Sequence, residues 1–265
     1  MADAAELLAA YDAQARTHLP EPLPRGMHVE HDGPLVRLFG LGDRGFVLYR
    51  DLDGLEGAAL DELIARQVAV FAARGERFEW KLYGHDRPPD LPERLRAAGF
   101  EPEEEETVLI APVAAIASPV QLPEGVSLRE VTSRRDLERI EAHGEAAFGD
   151  VHSGLAEMLE AERDADPNAI SVVVAEAGDA IVCAGWIRFE GGTGFATLWG
   201  GATSPAWRRR GIYRAIVAYR ANLAAARGFR FLQVDASRES RPILERLGFT
   251  AVTTTTPYVW TAAAP

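Results

Sequence analysis

The chain has 265 residues, of which 47% are hydrophobic and 26% charged, with a formal net charge of −12. This length and apolar content predict one large or two ordinary globular domains. The acidic balance disfavours nucleic acid as a partner, since phosphate contacts need a basic face. The one cysteine, Cys183, excludes an internal disulfide framework. No apolar run approaches the roughly 18 residues of a membrane span, so we expect a cytoplasmic protein with no membrane partner.

The first 118 residues carry alternating helical and strand periodicities. These patterns predict helices over residues 2–17, 55–74 and 91–98, and strands over residues 35–39, 45–49, 78–83 and 108–110. Residues 111–125 are small, apolar and proline-bearing, which predicts a linker. We therefore expect two domains, over residues 1–118 and 119–265.

The second half shows a longer succession of elements. Strands are predicted over residues 126–131, 171–175, 181–189, 195–203 and 231–236, and helices over residues 134–147, 153–163, 211–227 and 242–247. A turn at Gly149-Asp150 separates the first two helices. The three consecutive strands should form an antiparallel meander, since only short turns connect them.

The passage from the strand at 195–203 to the helix at 211–227 carries the strongest chemical signal. Pro205 ends the strand, and Gly211 permits a close turn at the helix entrance. Three arginines, Arg208 to Arg210, stand beside the unpaired N–H groups of the first helical turn. This combination predicts an anion site suited to a pyrophosphate.

The strand, the Arg208-x-x-Gly211 turn and the amphipathic helix resemble the acyl-CoA loop of the GNAT acetyltransferases. The following strand, the short helix and the pair Gly248-Phe249 agree with that family, and the resemblance covers about residues 126–262. It implies an α+β fold, with a mixed, mostly antiparallel sheet flanked by helices. It also implies direct transfer of the acetyl group of acetyl-CoA to an amine, without a metal.

The resemblance also implies which residues hold acetyl-CoA. The pantetheine arm would lie along Gly201, Ala202 and Thr203, and a bulge at Gly200-Gly201 would orient an oxyanion donor. The alternative is that these glycines only relieve crowding against the helix. Ser237 would contact the pantetheine or phosphate, with helix capping as the alternative. The pyrophosphate would lie against Arg208, Arg209, Arg210, Gly211, Ile212, Tyr213 and Arg214.

Three residues depart from the family pattern. Tyr213 replaces a second glycine or alanine, which the site tolerates if the ring points outward. Leu244 replaces the tyrosine that often acts as general acid. Thr197 lies where a glutamate often acts as base, so the catalytic residues stay unassigned. The open candidates for the base are Glu190, Asp235, Glu145, Asp150 and His152.

The first half contains a weaker copy of the same unit. In both halves a Glu-Arg-Leu helix leads to a Gly-Phe pair, at Gly99-Phe100 and at Gly248-Phe249. The segment before the helix at 55–74, YRDLDGLEG, has acids in place of an arginine turn and would repel a phosphate. The first half thus resembles a degenerate GNAT-like domain with a structural or substrate-shaping role.

These observations predict a tandem GNAT protein, monomeric or homodimeric, that acetylates an amine of a small molecule or peptide. The acidic surface would attract a cationic acceptor. Two alternatives stay open, a non-catalytic acyl-CoA sensor and a transferase of a longer acyl group. The missing tyrosine and glutamate favour the first of them.

Overall fold

The computed structural model of the protein describes residues 3–40, 42, 44–148 and 154–262. In these residues the α-helices are α1 (Ala4–Gln14), α2 (Gly57–Arg74), α3 (Leu91–Ala97), α4 (Val113–Ile116), α5 (Arg134–Phe148), α6 (Leu155–Ala165), α7 (Ile212–Ala226) and α8 (Arg241–Leu247). The β-strands are β1 (His28–Asp32), β2 (Leu35–Phe39), β3 (Gly45–Leu48), β4 (Phe78–Tyr83), β5 (Glu101–Pro102), β6 (Glu106–Pro112), β7 (Val126–Val131), β8 (Ile170–Ala177), β9 (Ala180–Phe189), β10 (Phe195–Thr203), β11 (Phe231–Ala236) and β12 (Thr250–Trp260).

The strands of the described chain form one continuous twelve-stranded sheet. Its order is β1-β2-β3-β4-β12-β6-β11-β10-β9-β8-β7, and the short β5 pairs with β12 outside this path. Within the described residues only β3 with β4 and β10 with β11 run parallel. The α+β class, with a mostly antiparallel sheet flanked by helices, is therefore confirmed.

The two halves of the chain exchange their last strands. β6, which precedes the predicted boundary after residue 118, lies between β11 and β12, with Val108 opposite Asp235 on one side and Thr253 on the other. β12, the last strand in the described chain, pairs with β4 of the N-terminal half, and Thr255 lies opposite Tyr83 there. The division into residues 1–118 and 119–265 stays a prediction, but the halves on either side of it share one sheet.

The predicted linker is wrong for residues 111–116. Ala111 is a buried residue of β6, and Pro112 ends that strand opposite Phe231. Pro112 is also the N-cap of α4, where the N–H that proline lacks is not needed. Val113 and Ile116 are buried, because α4 packs against α7. Residues 117–125 alone are without regular structure.

Three of the apolar clusters in the described residues position the elements around the exchanged strands. The N-terminal cluster packs α2 on the sheet, with Phe71 and Phe78 stacked at 4.0 Å between ring centroids. The C-terminal cluster buries α7 and α8 against β10 and β11. A third cluster joins the halves, because Tyr11 of α1 packs against both Tyr83 and Phe195. Burial of this shared face holds the exchanged strands together.

Within the part of the chain that the structure describes, we find no helix with the length and apolarity needed to cross a bilayer.

Candidate functional site

Two parallel strands diverge at the centre of the C-terminal half. β10 and β11 are paired only from Phe195 to Thr197, opposite Phe231 to Gln233. β10 nevertheless continues to Thr203, and β11 continues to Ala236. Beyond Thr197 the facing edge of β10 has no strand neighbour, so the peptide groups there that no side chain engages can pair with an extended ligand. The divergence forms a slot with hydrogen-bonding backbone on one wall.

The bulge predicted at Gly200-Gly201 is confirmed. Gly200 lies opposite Gly185 on β9, but Ala202 lies opposite Ala184, so Gly201 is the extra residue. Gly200 and Gly201 have φ of 70° and 98°, which favours glycine. Relief of crowding against the helix holds as well at Gly201, where a Cβ would lie 2.6 Å from the ring of Tyr213 on α7, whereas a Cβ at Gly200 would meet Trp186 of β9 at 2.7 Å. The two explanations of the glycines are therefore not exclusive.

A buried arginine fixes the back of this bulge. Arg220 of α7 is 1% exposed, and its Nη1 donates to the carbonyls of Trp186 at 2.9 Å and Trp199 at 2.8 Å. Among the described residues it forms no ion pair, and burial lowers its pKa from the usual value. Because the carbonyl of Trp199 is held towards α7, the peptide groups that follow at Gly200 and Gly201 are constrained.

The ring of Tyr213 does not point outward, which corrects the expectation from the sequence. A Cβ at Gly201 would lie 2.6 Å from Cε2 of this ring, so the ring lies against β10 at the slot. Tyr213 is half-buried, and burial raises the pKa of its hydroxyl. The larger side chain is accommodated because Gly201 has none. The slot is therefore narrower than a glycine or alanine at position 213 would leave it.

We expect Gly201→Ala to lower the free energy of unfolding by about 3 kcal/mol, from left-handed backbone strain and overpacking against Tyr213. Gly178→Ala is the matched control, because Gly178 also has a positive φ, of 60°, but open space at its Cβ. It should cost only about 1 kcal/mol. Urea denaturation measures both, and a Tyr213→Ala background should recover part of the difference. Equal costs at the two glycines would contradict the packing described.

The entrance of α7 presents unpaired donors to solvent. Gly211 is the N-cap with φ of 85°, and no side chain caps the helix. The N–H groups of Ile212, Tyr213 and Arg214 find no acceptor among the described residues. Arg208, Arg209, Arg210 and Arg214 are exposed around this helix end. The donors and the cations predicted to hold an anion are thus brought together.

The remaining predicted contacts divide between the slot and its surroundings. The carbonyl of Ala202 accepts a hydrogen bond from Nε2 of His143 at 3.0 Å, and that of Thr203 accepts one from Nε of Arg208 at 3.1 Å. Ile212 is buried and offers only its backbone. Ser237 lines the cleft, and its Oγ also accepts the N–H of Ser240 at 3.3 Å. The capping alternative for Ser237 is therefore supported beside a place at the slot.

A cleft of about 1210 Å³ extends from the slot across the sheet to the N-terminal half. Its walls come from both halves, because the exchanged strands bring them side by side. Its lining includes Trp186, Arg188, Thr197 and Trp199 from β9 and β10, Gln233 and Asp235 from β11, Glu106 from β6, and Glu79, Lys81 and Tyr83 from β4.

The predicted base candidates differ in their surroundings. Asp235 is ion-paired with Lys81 and accepts a hydrogen bond from Nε2 of Gln233 at 2.7 Å. Glu190 accepts one from Oγ1 of Thr197 at 2.8 Å and lies 3.5 Å from Nε2 of His18. Glu145 is exposed at the cleft. Asp150 and His152 lie outside the described residues.

Three cleft residues were missed by sequence reasoning, and all belong to the N-terminal half. Burial raises the pKa of Glu106 to about 7, and the carboxylate of Asp235 adds to this. Burial also raises the pKa of Glu79, against the attraction of Lys81 and Arg44. For Lys81 burial acts to lower the pKa, but the charge of Asp235 raises it overall. The acidic run at 103–106 was visible, but its strand's position between β11 and β12 was not.

The N-terminal half has an equivalent divergence that an arginine of the chain itself partly fills. β3 and β4 pair in parallel only up to Val47 opposite Trp80. Beyond that point the guanidinium of Arg16 lies 4.9 Å from the ring centre of Tyr49 and 4.2 Å from that of Tyr83. An ion pair to Asp86 at 2.5 Å holds it there. The cavity that remains beside this guanidinium has about 230 Å³, against about 1210 Å³ for the cleft, which agrees with a degenerate copy.

The entrance of α2 in the same half is acidic. Asp51, Asp53 and Glu56 are exposed immediately before the helix. No arginine replaces them within residues 51–57, so an anion would be repelled at this helix end. The two halves therefore share an architecture but differ in the residues at the corresponding turn.

Comparison with known proteins finds similarity to one family in sequence and in fold. Residues 136–249 match the acetyltransferase (GNAT) family model. A GCN5-related N-acetyltransferase from Kribbella flavida has a TM-score of 0.66 at 18% identity, covering 98% of this chain and 95% of that chain. No curated protein gives a significant match to the sequence.

Two further solved structures cover both halves. A GCN5-related N-acetyltransferase from Sphaerobacter thermophilus has a TM-score of 0.61 at 17% identity, covering 98% of this chain and 86% of that chain. A tandem GNAT protein from the clavulanic acid biosynthesis pathway has a TM-score of 0.60 at 13% identity, covering 91% and 85%. Identities this low show the fold alone. The resemblance to a tandem GNAT arrangement, with a GNAT-like N-terminal half, is confirmed at that level.

Proposed function

We propose that this chain, whose residues 136–249 form a domain of the GNAT acetyltransferase family, transfers the acetyl group of acetyl-CoA to an amine. The family and fold make acyl transfer the reaction class. The observation that carries the finer proposal is the open divergence of β10 and β11, which leads to an uncapped helix end among exposed arginines. The extended pantetheine arm of acetyl-CoA would fit the divergence of the strands, and its diphosphate would fit the helix end.

Each part of the site has a physical task in this proposal. The N–H groups of residues 212–214 and the arginines at 208–210 would hold the diphosphate. The free edge of β10 would pair with the amide groups of the pantetheine arm. The bulge at Gly201, held from behind by Arg220, would present a backbone N–H to the developing oxyanion. The bound thioester supplies the acyl group and the thiolate leaving group.

The cleft between the halves is the proposed place for the acceptor. It adjoins the slot and is lined by carboxylates on β4, β6 and β11, including Glu79, Glu106 and Asp235. An ammonium group is attracted by such a field, whereas an anionic acceptor is repelled. The arrangement supports a cationic small molecule or a peptide amine. The N-terminal half would then shape the acceptor site.

Calorimetry with acetyl-CoA and a thiol-release assay across primary amines test this proposal together. The amines should include a monoamine, a diamine and a peptide with a free N-terminus. We expect binding of acetyl-CoA and faster CoA release with at least one amine. Binding without turnover on any amine would favour the acyl-CoA sensor. Rates measured with acyl-CoA substrates of increasing chain length separate acetyl transfer from transfer of a longer group. We expect the rate to fall with chain length, because Tyr213 narrows the slot.

A further inference from the structure

We propose that Glu106 is the general base that takes the proton from the acceptor amine. The inference rests on the acyl transfer proposed above. It makes the N-terminal half a supplier of a catalytic group to the acyl-CoA slot of the C-terminal half. The degenerate copy then does more than shape the acceptor site, because a strand that it donates carries the reacting carboxylate.

The strand register places Glu106 on the face that lines the cleft. Val108 lies directly opposite Asp235, and directly opposed residues project to the same face of a sheet. Glu106 is two residues from Val108, so it shares that face. It lies opposite Thr255 on its other side, and Tyr83 faces that same threonine from β4. Glu106, Tyr83 and Asp235 thus belong to one surface.

The direction of the strands places Glu106 towards the open end of the slot. β11 separates from β10 after Gln233, and β6 runs antiparallel to β11. Thr107 is opposite Ala236, the last residue of β11, so Glu106 lies one step beyond that strand's end. Neighbouring strands are about 4.8 Å apart. One strand spacing therefore separates Glu106 on β6 from β11, which forms one wall of the slot. We infer that the Glu106 side chain can reach an amine bound in the cleft.

Glu106 is a half-buried carboxylate of the cleft whose oxygens have no hydrogen-bond donor among the described residues. Asp235, by contrast, is held by Lys81 and Gln233. The ion pair with Lys81 offsets part of the negative charge of Asp235 beside Glu106. Because no donor among the described residues occupies the oxygens of Glu106, they are open to a proton from a bound amine.

The electrostatic surroundings keep this carboxyl near its midpoint at neutral pH. Burial, followed by the charge of Asp235, raises the pKa of Glu106 to about 7. Glu79 and Glu104 raise it further, and Lys81 opposes them. A base with a pKa close to the working pH combines a populated basic form with a useful proton affinity. The raised pKa supports the assignment that the strand geometry carries.

The proton balance of the step is complete. The carboxylate of Glu106 accepts one proton from the ammonium of the acceptor. The freed nitrogen lone pair forms the C–N bond with the thioester carbonyl carbon. The C–S bond then breaks, and its electron pair leaves with the sulfur. The second N–H proton passes through water to the departing thiolate, and Glu106 returns its proton to solvent.

The test is Glu106→Gln, with Glu105→Gln as the matched control. Glu105 is the neighbouring glutamate, it is exposed and it is not among the residues that line the cleft, and its substitution removes the same charge. With acetyl-CoA and the fastest amine of the panel, we expect kcat for Glu106→Gln to fall about 100-fold at pH 7. Glu105→Gln should stay within about threefold. The dissociation constant for acetyl-CoA, measured by calorimetry, should be unchanged in both.

The pH profile separates a catalytic from a structural role. Wild-type kcat/KM should show an acidic limb near pH 7, and Glu106→Gln should lose it. The variant should instead recover as the pH approaches the pKa of the amine, because the acceptor then loses its proton to solvent. The inference would be overturned if Glu106→Gln kept its activity or its acidic limb. It would also be overturned if the affinity of this variant for acetyl-CoA fell as much as its kcat. A wild-type protein that binds acetyl-CoA but acetylates no amine would overturn the proposed function and this inference with it.

Discussion

Gly211→Glu is expected to weaken the binding of acetyl-CoA at least 100-fold while the protein remains folded. A Cβ at position 211 meets no atom within 4 Å, so the new side chain fits sterically. Its φ of 85° costs about 1 kcal/mol for a residue with a side chain. The introduced carboxylate would lie beside the uncapped N–H groups of α7 and compete with a diphosphate for them. Calorimetry with acetyl-CoA measures the loss, and circular dichroism checks the fold.

Gly228→Glu provides the control at the other end of the same helix. Gly228 is exposed, has a φ of 78° and also has open space around its Cβ. This variant therefore carries the same charge and the same backbone strain, away from the α7 entrance. We expect its affinity for acetyl-CoA to match that of the wild type. If both variants bind equally well, the helix entrance at 211 does not hold the diphosphate.

The element positions could be predicted because periodicity reports local burial. The bounds of β2, β4, β7, β10 and β11 agree with the sequence patterns residue for residue. In each case the signal is local: the spacing of apolar residues reports the buried face of the strand, and the flanking turn residues report its ends. The arginine turn was predictable for the same reason, since it is a contiguous stretch between two such elements.

The partners of the strands could not be predicted in the same way. Val108, Leu109, Ile110 and Ala111 are all fully buried, which indicates a central strand but not whose neighbour it is. The place of Glu106 in the cleft depends on that pairing, so the residue passed unnoticed. The orientation of Tyr213 depends on the missing side chain of Gly201, a contact between two elements. β1 was missed because its strand is largely exposed and its apolar spacing is weak.

Residues 119–265 expressed alone are expected not to form a folded domain that binds acetyl-CoA. Without β6, β11 loses a partner along all six of its residues, and β12 loses partners on both sides. β6 also contributes apolar residues to the cluster beneath α7 and α8. Without them, water would reach that cluster and the unpaired edge of β11, the strand beside the slot. Size-exclusion chromatography, circular dichroism and calorimetry with acetyl-CoA measure the outcome. We expect aggregated or unfolded material without detectable binding.

A full-length chain with a protease site inserted within residues 117–125 is the matched control. This segment has no regular structure, and Ser118, Pro119 and Gln121 are exposed, so a cut there breaks no sheet pairing. The two pieces should co-elute after cleavage and bind acetyl-CoA as the intact chain does, because the exchanged strands still join them. Separation of the pieces, or an isolated 119–265 fragment that folds and binds normally, would show that each half completes its own sheet. Glu106 would then be too far from the slot to act on the acceptor.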